Sequence, residues 1–85
     1  MFTPSPALTF ATAAAILREG AAQIEAGETQ IDCTHLAQVD SAALAVLLAW
    51  KRRAAAQGRA LTIQGLPSGL ASLAQLYGID DILVA

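Results

Sequence analysis

Apolar and polar positions switch between a period of two and a helical period several times along this chain, and each switch predicts a change of element. Ala7-Leu8-Thr9-Phe10 reads as a short strand. The prolines ahead of it, Pro4 and Pro6, confine it to a sheet edge or a short hairpin. Thr12 is placed to cap a helix running to about Ala26, with Gly27 as its stop. Ala13, Leu17, Ala21 and Ile24 recur at helical spacing in it, while Arg18, Glu19, Gln23 and Glu25 fall elsewhere on the wheel. Gly20, in the same helix, permits close packing on a sheet.

Thr29 to Leu36, TQIDCTHL, predicts a strand with Ile31, Cys33 and His35 on one face. A second helix is predicted from Asp40 or Ser41 to Gln57, with Gly58 beyond it, and Ala60 to Gln64 predicts another short strand. Leu66-Pro67-Ser68 opens a third helix whose buried stripe is Leu70, Leu73, Ala74 and Tyr77. Gly78 ends it, and Ile79 to Val84 predicts a last short strand. Strands alternating with helices imply an α/β fold with right-handed crossovers, in one domain spanning residues 1–85.

The second helix departs from the usual pattern. At about 100° per residue, Leu44, Leu47 and Leu48 share one arc and face the sheet. Ala42, Ala45 and Ala49 form a strip of small residues, and Val46 with Trp50 forms a third apolar edge. No charge interrupts any face before Lys51, whose stem is expected along the core edge with its ammonium in water. Alanine's high helix propensity accounts for this pattern, and so does a docking face that admits close approach with Trp50 anchoring its rim. Asp40 and Ser41 are each able to cap the helix by accepting backbone N–H bonds.

Composition sharpens the second of those accounts. With 55% hydrophobic and 14% charged residues, so short a chain is expected to leave apolar surface for a partner. The run Ala42 to Trp50 is far below the roughly 20 residues of a membrane span, so none is expected. MFTPSPALTF lacks a basic region followed by a long apolar segment, so no secretory signal is expected. A lone cysteine, Cys33, fits a reducing cytosol, and with the single His35 it makes no metal cluster. A net charge of −2 argues against nucleic acid as a partner, and Lys51, Arg52 and Arg53 read as a solvated helix end.

Catalytic signals are absent. Gly65, Gly69 and Gly78 are not gathered into a phosphate loop, and Ser41 has no base and orienting carboxylate in prospect. Asp80-Asp81 reads as a turn rather than a metal site. These readings predict a non-enzymatic binding module without metal or cofactor.

TQIDCTHLAQVDSAALAVLL followed by GRALTIQGLPSGLASLAQLYGIDDIL resembles the STAS domain family of sulfate-transporter and anti-sigma-factor-antagonist modules. The resemblance covers roughly Gln30 to Leu83, and its specific pieces are the strand-to-Asp-Ser-helix junction and Gln64-Gly65-Leu66. Leu73 to Gly78 is most similar to the STAS subunit of the bacterial Mla phospholipid transporter. The resemblance implies a small mixed β-sheet with about three helices packed mainly on one side. The shortened start here implies a compact N-terminal hairpin and leaves room for a homodimer.

It also implies a non-enzymatic subunit, cytoplasmic and peripheral to the inner membrane, that supports the ATPase of a phospholipid-transport ABC complex maintaining outer-membrane lipid asymmetry. Asp40, Ser41, Ala42, Ala45 and Ala49 are the expected partner-binding residues. The alternative is an anti-sigma-factor antagonist in a serine-kinase switch. That branch reads Asp-Ser-Ser-Gly, with the second serine phosphorylated; here Ala42 and Ala43 replace the serine and glycine, leaving Ser41 as the candidate phosphoacceptor.

Overall fold

The computed structural model describes residues 1–79. Its elements are β1 (Ala7–Leu8), α1 (Ala13–Glu25), β2 (Gln30–Asp32), β3 (Gln38–Val39), α2 (Ser41–Ala56), β4 (Thr62–Gln64) and α3 (Ser68–Leu76). The alternation of strand and helix holds, with β3 as an addition that two residues gave no means of seeing. The expected strand at Ile79 to Val84 lies, beyond Ile79, outside the described residues.

β1 pairs in parallel with β3, in the register Ala7 to Gln38 and Leu8 to Val39. β2 pairs in parallel with β4, placing Ile31 beside Ile63. The N-terminal segment joins these pairs. Phe2 bridges Ile31 in parallel, donating its N–H to Gln30 and accepting from Asp32 N–H, while the Pro6 carbonyl accepts from Ala37 and Gln38. The expected hairpin is therefore corrected: residues 2–8 run alongside β2 and β3 instead of folding back on themselves. Pro4 and Pro6 lack N–H donors, so this segment pairs only in fragments. All ladders among the described residues are parallel.

α2 is the central helix and packs against both α1 and α3. That position answers the puzzle of its charge-free wheel. Ala42, Ala43, Leu44, Val46, Leu47, Trp50 and Ala54 are all buried, because neighbours cover most of its circumference. In α1 the buried positions are Ile16, Gly20 and Ile24, with Ala13, Leu17 and Ala21 half-buried. Trp50 crosses to α1, where a Cβ on Gly20 would overlap its indole ring. Gly20 thus admits a helix side chain and not the sheet. The Trp50 Nε1–H donates to the Leu17 carbonyl at 3.0 Å, and Phe2 meets the ring edge-on at 5.7 Å. This buried position corrects the expectation of Trp50 as a rim anchor.

In α3, Leu70 and Ala74 are buried and Leu73 is half-buried, as the spacing predicts. Tyr77 is 59% exposed, contrary to expectation, because the helix ends at Leu76 and leaves it in the C-cap position. Gly65 is the second glycine that geometry demands. Its φ is +67°, and a Cβ would strike the Thr34 backbone and side chain after β2.

Candidate functional site

The site is built around the start of α2. Asp40 has extended backbone angles and turns its carboxylate back on the chain: Oδ1 accepts from Ala42 N–H at 2.9 Å, the N-cap bond. Oδ2 reaches across to accept from Phe10 N–H at 3.1 Å. One carboxylate therefore both starts the helix and ties down the β1–α1 loop. Ser41, next in the chain, is exposed.

The loop carries Phe10 outward. The Thr12 hydroxyl accepts from Thr9 N–H at 3.0 Å and donates to the Ala7 carbonyl at 2.8 Å, folding residues 9–12 into a tight turn before α1. Thr12 sits at the N-cap position but makes no side-chain cap bond, so its predicted role changes from cap to turn. β1 ends at Leu8, two residues short of the expected strand, and Phe10 is left 78% exposed.

Between this loop and the first turns of α1 and α2 lies an apolar groove of about 430 Å³. Phe10, Ala13 and Leu17 form one wall, and Ser41, Ala42 and Ala45 line the other. The groove exists because alanines face alanines there, with no side chain long enough to close the gap. Of the predicted partner-binding residues it brings together Ser41, Ala42 and Ala45, with Asp40 holding the adjoining turn. Ala49 lies apart, in a shallower hollow of about 520 Å³ with Glu25, Arg52 and Arg53. Sequence reasoning missed Phe10, Ala13 and Leu17 as groove residues. The available signal was an aromatic residue between a strand and a helix cap, at the strand's C-terminal end.

The remaining polar groups lie outside the groove lining. Cys33 is fully buried, and that burial, with the Asp32 charge beside it, pushes its thiol up to about 11. Asp32 accepts from the Thr34 hydroxyl at 2.6 Å and from Thr34 N–H, and these bonds hold its carboxyl below the usual range. His35 is exposed beyond the end of β2, with Nδ1 at 3.9 Å from Asp32. Lys51 is half-buried, and desolvation lowers its pKa, as expected for a stem along the core edge. Among the described residues no His, Cys, Asp or Glu cluster is arranged to hold a metal, and no helix is long and apolar enough to cross a membrane.

Comparison with known families decides what this arrangement belongs to. The family model described as "Mlab, STAS domain" matches residues 5–85. The chain belongs to the STAS domain family. STAS domains are in general non-enzymatic and serve protein interaction and regulation. No curated protein matches this STAS domain. The match also covers the helix start at Asp40 and the groove beside it, so the site lies within the family's own fold.

Proposed function

We propose that this STAS domain is the non-enzymatic subunit that binds and supports the cytoplasmic ATPase of an Mla-type phospholipid-transport ABC complex. It acts on the cytoplasmic side of the inner membrane, through its partner, in a system that maintains outer-membrane lipid asymmetry. The Mlab description of the matching family supports this reading. The observation that carries it is the charge-free groove opening directly beside the Asp40–Ser41 helix start. Asp40 sets the geometry, Ser41 contacts the partner, Ala42 and Ala45 let it approach closely, and Ala49 extends the contact along α2.

An apolar groove next to a polar helix start favours a constant protein contact over a charge switch. Ala42, in place of the phosphoacceptor serine of the anti-sigma-antagonist branch, is only 7% exposed. A pull-down of the Mla-type ATPase with Ser41→Glu and Ala45→Arg tests the reading. Both variants are expected to fold and to lose most ATPase capture; unchanged capture by the folded variants overturns the proposed face.

A further inference from the structure

α1 and α2 run side by side, Phe10 and Ser41 at one end of their furrow and Glu25 and Arg53 at the other. One hollow is lined by residues near each end of this furrow. Ala45 lines the first and Ala49 the second, one helical turn or about 6 Å apart. The ends differ in charge. No side chain lining the groove beside Ser41 is charged. The far hollow carries Arg52 and Arg53, and four of the chain's five cationic residues fall between Lys51 and Arg59 although its net charge is −2. Arg53 pairs with Glu25 across the furrow. Arg52 is exposed, lines the hollow, and makes no ion pair among the described residues.

We propose that the furrow seats one segment of the partner ATPase, apolar where it meets Phe10 and Ser41 and carrying a carboxylate where it meets Arg52. This rests on the reading above and adds the polarity and register of the contact. The argument is complementarity: an uncharged groove selects apolar side chains, while a guanidinium at the rim of the next hollow selects an anion. A segment bound the other way round would bury its carboxylate in an apolar groove and leave Arg52 unmatched, which fixes the direction. Phe10, held by Asp40, forms the aromatic wall at the apolar end.

Affinity of the purified chain for the purified Mla-type ATPase tests the proposal, with Ala45→Arg as the control for the site itself. Arg52→Ala is expected to weaken binding by about threefold, as for an exposed ion pair, and Arg52→Glu by about tenfold or more. Phe10→Ala is expected to cost about tenfold. Rising salt should weaken the wild type more than Arg52→Ala. If Ala45→Arg abolishes binding while Arg52→Glu binds within about twofold of wild type, the proposed register is overturned and the site stands. If Ala45→Arg also binds normally, the site fails and the register with it.

Discussion

Two stretches of the α1–α2 contact, one around Gly20 and one around Ser41, use the same pair of helices and are finished in opposite ways. Around Gly20 the gap is filled: Trp50 occupies the space that a glycine vacates, and its Nε1–H finds the Leu17 carbonyl. Around Ser41 the gap stays open, because Ala13 and Ala14 face Ala42 and Ala45, with Phe10 and Leu17 as the large side chains on the α1 side. The stretch around Gly20 binds the helices together and the stretch around Ser41 offers a surface. Side-chain volume alone decides which, so concavity and cohesion are separable here by mutation.

The filled stretch should break most dramatically. Trp50→Ala removes the largest buried side chain and a hydrogen bond, and is expected to cost about 3–5 kcal/mol in denaturant unfolding. Gly20→Ala attacks the same contact from the other helix. An added methyl should raise helix propensity by up to about 1 kcal/mol, yet it must displace the indole ring, so a net loss of about 1–3 kcal/mol is expected. A net gain in urea unfolding would show that Trp50 does not rest on Gly20. At the open stretch, Asp40→Ala deletes the cap bond and the tie to Phe10, with an expected loss of about 1 kcal/mol. Hydrogen exchange should localise that loss to the α2 start and the Phe10 amide, leaving the Trp50 stretch protected.

The smallest expected effect concerns Cys33, under neither stretch. Its folded thiol pKa is raised to about 11 from 9.0, so its contribution to stability is complete below about pH 9 and is lost as pH rises through about 11. Near neutral pH the folded chain should react with a thiol reagent far more slowly than the unfolded chain. Equal rates would mean that the strand core opens readily.

Much of this comparison could be read from the chain before any coordinates. The three helices, their glycine stops and the Asp40 cap follow from local chemistry, and local chemistry is what a short stretch of sequence encodes. What escaped depended on contacts between distant residues. β3 is two residues long and is defined only by pairing with Ala7 and Leu8. The apolar faces of α2 looked alike on a wheel, and only the placement of α1 and α3 buries Val46 and Trp50 while leaving Ala45 exposed. Phe10 shares its strand-like parity with Leu8, but the Thr9–Thr12 turn redirects it outward. Half of the candidate site was therefore visible as the Asp-Ser-Ala junction, and the α1 half was not.

Ala45→Arg most directly tests the central claim that the open stretch is the partner face. The substitution sits on an exposed helix position and is expected to change unfolding stability by less than about 0.5 kcal/mol. Titration calorimetry against the purified Mla-type ATPase should show binding weakened by at least about a hundredfold, since a guanidinium would fill a groove that offers it no partner. Wild-type affinity in a variant that unfolds like wild type would contradict the account.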